Sequence, residues 1–216
     1  MIKLPKFNIE GQVHFVTTNV SKKTPLFSDN LFCEIIIRNL EFYRKKFIFE
    51  LYGYVIMPDH LHLLIYPRPR QETRPTRQEA RFTPSFPMDI SKPPAAQRGM
   101  VRSPDLTKIE KIMEDFKKYT AKEIITELKN SKKDDLLNGF KLSYPKKKKH
   151  QYRIWQNGFY DFNIYSAKKF LEKLNYIHEN PLRAGLVKNS EDWPYSSYRN
   201  YYSDDESLIK INRIGL

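Results

Sequence analysis

The sequence predicts an α+β fold, a ferredoxin-like β-α-β-β-α-β sandwich with an additional C-terminal helix. Three observations carry that reading. Short β-branched and aromatic runs alternate with apolar stripes at helical spacing. Two strand-like runs face each other across a Pro-Asp turn. A Pro/Arg-rich stretch without periodic pattern interrupts this order but does not end it.

Residues 11–20, GQVHFVTTNV, read as the first strand because their β-branched and aromatic side chains fit a pleated surface. Asp29-Asn30 then offers a cap to LFCEIIIRNLEFYRKKF, where Leu31, Ile35, Ile36, Leu40 and Tyr43 recur at helical spacing. That helix should run to Lys45. FIFELYGYVIM, residues 47–57, is too apolar for a surface loop and reads as a buried second strand. Pro58-Asp59 turns the chain into HLHLLIY, residues 60–66, the third strand of a hairpin. Between Pro67 and Pro104 lie eight of the 14 prolines, a composition that cannot bury enough surface to offset its ordering entropy. Residues 67–104 are therefore expected to be a flexible basic insertion within one domain made of 1–66 and 105–202, with 203–216 as a tail. Ser103-Pro104 opens a helix over 104–128 with Ile109, Ile112, Met113, Phe116, Tyr119 and Ile124 as its stripe. After the basic segment KLSYPKKKKHQYR, the aromatic run IWQNGFYDFNIY (154–165) ends in a fourth strand. Ser166 caps a last helix, AKKFLEKLNYIHEN, which Pro181 is expected to terminate.

Charge narrows the partners. Lys and Arg number 38 against 25 acidic residues, a formal +13 with a pI near 9.6. Such a field attracts polyanions, either nucleic acid or an anionic membrane surface. No run of 18 apolar residues exists and mean hydropathy is −0.66, which argues against a spanning helix. The N-terminal MIKLPKFNIEGQ has no apolar leader, and the single cysteine, Cys33, fits a reducing compartment. The expectation is a cytoplasmic nucleic-acid binder.

Two local patterns could carry chemistry. On a strand, His60 and His62 would project to one face while Leu61 and Leu63 face the other way. Paired imidazoles on a rigid strand suit a divalent metal, although two ordinary strand-edge histidines would look the same. On the last helix, Phe170, Leu171, Leu174 and Ile177 form the apolar stripe, Tyr176 lies nearly opposite, and Asn180 follows one turn on near the same line. Tyr176 could attack phosphorus or could be one more surface aromatic, and Asn180 could be an oxygen ligand or a helix terminator. His178 falls on the apolar side and reads as a packed, hydrogen-bonded residue. Lys146, Lys147, Lys148 and Lys149, with Tyr152, Arg153 and Trp155 beside them and Arg183 further on, make a phosphate-contacting and base-stacking surface credible.

YGYVIMPDHLHLLIYP, IWQNGFYDFNIY, LNYIHENPLRAGLV and DWPYSSY, in that order, resemble the REP-associated tyrosine transposases, which belong to the single-tyrosine HUH transposases. The resemblance covers most of the chain outside the insertion. It implies that His60 and His62 bind Mg²⁺ or Mn²⁺, that Tyr176 is the catalytic nucleophile, and that Asn180 is the third metal ligand. It implies further that Tyr176 attacks a scissile phosphate in line, giving a 5′-phosphotyrosine link and a free 3′-hydroxyl, and that a second 3′-hydroxyl reverses the step without ATP. The implied substrate is single-stranded DNA carrying a hairpin or palindromic repeat, handled by a monomer or homodimer. The long insertion and the heavy lysine run depart from the family's usual form. Two other readings compete: a domesticated protein that binds such DNA without cutting it, and an RNA-binding module with aromatics on an open sheet face.

Overall fold

A computed structural model describes residues 12–68, 108–143, 151–206 and 208–213. β1 spans Val13–Asn19 and leads to α1, Asn30–Phe47. Asp29 caps α1 by accepting the Leu31 N–H at 3.0 Å, and Ile48 ends it in the left-handed region at φ 51°. β2, Phe49–Met57, and β3, His60–Pro67, form the expected hairpin across Pro58-Asp59. α2 spans Ile109–Asn130 and is followed by a short helix, α3 at Asp134–Gly139, which sequence periodicity does not reveal. β4 spans Tyr160–Ile164 and α4 Ala167–Arg183, where Ser166 accepts the Lys169 N–H. A second short helix, α5, lies at Tyr198–Tyr202.

The four strands pair antiparallel in the order β2-β3-β1-β4, the strand order of a ferredoxin-like sandwich. Alternation on β3 sends Leu61, Leu63 and Ile65 into a core shared with α1 and α2. The opposite face carries Val13, Phe15, Val55 and Leu64, and α4 closes it with Phe170, Leu174 and Ile177. Helices thus cover both faces of the sheet. α4 approaches β2 closely at Gly53, where a Cβ would meet the Leu174 side chain at 2.9 Å.

Residues 69–104 of the expected insertion lie outside the described residues, while Pro67 still belongs to β3. The helix expected from Ser103-Pro104 starts later, because Lys108 is extended and α2 begins at Ile109. Several expectations need correction. Tyr119 and Leu171, placed in apolar stripes, are exposed, at 42% and 40%. Pro181 does not end α4. It sits in the last turn, where its missing N–H forfeits a single bond, and the helix continues to Arg183. Gly185 ends it instead at φ 68°. Its N–H donates to the Leu182 carbonyl while the Leu186 N–H reaches back to Pro181, a Schellman closure that needs a left-handed residue. The expected tail is also part of the core. Ile209 and Ile211 are buried, and Asn212 exchanges hydrogen bonds with Leu51, covering the outer edge of β2.

Candidate metal and nucleophile site

β3 turns His62 and the neighbouring His60 toward the α4 face, with ring centroids 4.8 Å apart. Tyr176 comes to the same place from α4: its ring meets that of His62 edge-on at 5.2 Å and that of Phe15 at 5.9 Å. Phe15, on β1, stacks on His62 at 5.3 Å and forms the floor. The helix runs back along β3, since Leu174 lies beside Gly53 and Leu64 while Tyr176 lies beside His62. Asn180 lies one helical turn beyond Tyr176 and is buried at 9% exposure. The helical wheel sets Asn180 near the line of Tyr176, opposite the apolar stripe, and its burial shows that this side of α4 is covered. α4 is covered on two sides, by the sheet and by the 193–202 segment, and its open side carries Leu171, Glu172, Asn175 and Arg183.

Each imidazole has its Nδ1 engaged. His62 Nδ1 shares a hydrogen bond of 2.7 Å with Thr17 Oγ1, which the register places directly across from it. His60 Nδ1 bonds to Asp59, whose other oxygen meets the Lys23 ammonium at 3.2 Å. Burial alone would raise the Asp59 carboxyl, but His60 and Lys23 together hold it below its ordinary range. Burial, with the nearby charges of His60, Lys23 and Lys173, pushes His62 down to about 3, so its ring is neutral. Among the described residues His62 Nε2 is buried without a hydrogen-bond partner. A neutral imidazole with one nitrogen anchored and the other unpaired is the arrangement of a metal-ligating histidine. Among the described residues no group of three His, Cys, Asp or Glu side chains is placed to hold a metal ion. A divalent ion here would need the Asn180 amide or substrate oxygens to complete its shell.

Two cations flank the phenol ring. Lys173 Nζ lies 5.8 Å from the Tyr176 ring centre and the Arg183 guanidinium 6.0 Å, and Arg183 also pairs with Glu179.

The remaining sequence-derived positions divide. Lys146, Lys147, Lys148 and Lys149 lie outside the described residues. Arg153 is exposed, and Tyr152 is half-buried against the α1/α2 core with Lys129 over its ring. Trp155 is a correction. It is 5% exposed, bridged to Val20, set between Phe27 and Phe116, and its Nε1–H donates to Thr120, so it cannot stack on a base. His178 packs among tyrosines with Nε2 against Ser197 Oγ, and burial pushes it down to about 4. His14 pairs with Asp161 on the other face of β1. Sequence reasoning missed Thr17, Phe15 and Lys173, which only strand pairing and helix placement bring to the site. Asp59 was legible as the neighbour of His60 but read only as a turn residue.

No protein-family profile matches the sequence. Over 55 residues, 24% of this chain, it is 40% identical to a Haemophilus influenzae protein assigned provisionally to the REP-associated tyrosine transposases. Over 45 residues it is 38% identical to the REP-associated tyrosine transposase of Escherichia coli. These matches span 31% and 27% of the two relatives. The whole chain aligns with 93% of a solved REP-associated tyrosine transposase bound to a REP hairpin, at 18% identity and a TM-score of 0.53. The chain resembles these transposases in sequence over about a quarter of its length and shares their fold.

Proposed function

We propose, from that resemblance, that this protein is a metal-dependent DNA transposase that nicks and rejoins single-stranded DNA bearing a hairpin or palindrome, through Tyr176. The observation that carries the reading is the meeting of the Tyr176 ring with His62 beside His60, a strand and a helix distant in sequence bringing a phenol to an imidazole pair.

His60, His62 and Asn180 would hold Mg²⁺ or Mn²⁺. When bound, the ion withdraws charge from a phosphate and fixes its orientation. The Tyr176 oxygen attacks phosphorus as its proton leaves; the new O–P bond replaces the bond to the 3′-oxygen, which departs as a protonated hydroxyl. The product is a 5′-phosphotyrosine link. A second 3′-hydroxyl reverses the exchange and joins strands, and the phosphodiester energy is conserved. Lys173 and Arg183 stabilise negative charge around the phenol and the phosphate, and Phe15 keeps the ring from turning away. Asp59 and Thr17 orient the two imidazoles.

Purified protein is incubated with labelled hairpin-bearing single strands and Mn²⁺, and an SDS-resistant protein–DNA adduct is sought. The wild type forms the adduct; Tyr176→Phe binds equally and forms none. Equal binding by both proteins with no adduct under varied metals and substrates would establish the second reading, DNA binding without cleavage.

A further inference from the structure

β4 is an edge strand with no neighbour on its outer side among the described residues, and it carries rings that the core covers only in part. Tyr160 is 44% exposed and Tyr165, just past the strand, is 55% exposed. Phe162 lies between them, half-buried, its ring 6.0 Å from that of Tyr165. Burying such large apolar faces is favourable, and leaving a tyrosine open at each end of β4 gives the fold nothing. Lys173 stands among these rings, 5.0 Å from the Phe15 centre and 5.4 Å from that of Phe162, with no carboxylate partner among the described residues. Its ammonium keeps its hydrogen-bond donors for an anion.

The row continues into the candidate site. Tyr160 packs edge-on against Phe15 at 6.3 Å, and Phe15 touches both His62 and Tyr176. We propose that Tyr160, Phe162 and Tyr165 form a stacking platform for unpaired bases of a DNA strand whose backbone is held by Lys173, leading that strand to Tyr176. The inference deepens the nicking reading and rests on it. Duplex DNA hides its base faces inside the stack, so open rings beside the Lys173 ammonium fit a single strand. The net charge of +13 suits the same partner. The aromatic surface expected around Trp155 is thus relocated to the opposite side of the sheet.

The test uses full-length Tyr176→Phe protein, which leaves strands uncut, and fluorescence anisotropy with two probes: a DNA hairpin with a short single-stranded extension and the same hairpin blunt. The parent protein binds the extended probe more tightly. Replacing Tyr160 and Tyr165 together by Ala lowers affinity for the extended probe about 10-fold or more and leaves blunt binding unchanged, whereas the Phe pair keeps the difference. Lys173→Met lowers the salt slope for the extended probe by the equivalent of about one neutralised phosphate. Equal losses on both probes, no loss on either, or no preference for the extension in the parent would overturn the platform. A protein that never forms a covalent adduct yet shows the tyrosine-dependent preference would lose the nicking reading and keep the platform; adduct formation without that preference does the reverse.

Discussion

Thr17 is the least conspicuous side chain at the site and one of the most informative. Its hydroxyl anchors His62 Nδ1 from a strand partner 45 residues away in sequence. Thr17→Val keeps the shape and removes the oxygen. The imidazole is then buried with neither nitrogen bonded, at a folding cost of about 1–3 kcal/mol. Under the proposed function the Mn²⁺ concentration needed for half-maximal adduct should rise about 10–100-fold, because the ring loses its orientation. A metal titration of adduct yield checks this, alongside urea unfolding. Unchanged metal dependence would make Thr17 a packing residue only. The imidazole pair itself is legible in the sequence, since residues i and i+2 of a strand share a face whatever surrounds them. Trp155 is the opposite case: nothing local separates a core indole from a stacking one, and Thr120, its hydrogen-bond partner, lies 35 residues away.

Helix ends show how far local signals reach. Asp29 caps α1, as Asp-Asn before an apolar run foretells, but its ion pair with Lys133 needs the loop after α2. The Lys133 hydrogen bond, opposed by burial and aided by the Leu31 N–H, holds the Asp29 carboxyl below its ordinary 3.8. A depressed carboxyl contributes stability that is complete above its unfolded value and lost as pH falls through the folded one. Asp29→Asn keeps a capping oxygen and removes the charge. The variant should be less stable than wild type at neutral pH by up to about 1 kcal/mol, since the pair is partly exposed. The gap should close in acid below 3.8. Urea titrations at neutral and acidic pH measure it; a gap independent of pH would remove the ion pair from the account. At α4, Pro181 suggested a stop too early, because a proline in a last turn costs little when a left-handed glycine follows.

The molecule as a whole places its proposed chemistry and the flank of its basic loop on different sides. Tyr152 packs with the α1/α2 core, and the site lies under α4 on the other sheet face. A strand engaging both must pass around an edge of the sheet. Replacing Lys146 to Lys149 by Ala should weaken binding of hairpin DNA and flatten its salt dependence, by about 0.7–0.9 in log–log slope for each phosphate no longer neutralised. Adduct chemistry at saturating DNA should be retained. Affinity measured over a salt series decides it, and an unchanged slope would take the lysine run off the DNA surface.

Strand and helix order, the hairpin, the capping residues and the His60–His62 pair are properties of neighbours in the chain, and the sequence by itself determined them. So were the charge and the segments that resemble a family. Which aromatics are core and which are open was decided by tertiary structure. The same holds for α4 burying Asn180 while exposing Leu171, for Ile209 and Ile211 reaching the core, and for Tyr176 resting on His62. Periodicity specifies the angle between side chains on one element. The rotation of that element against a sheet is set by packing across many residues, as Gly53 sets it here by admitting Leu174.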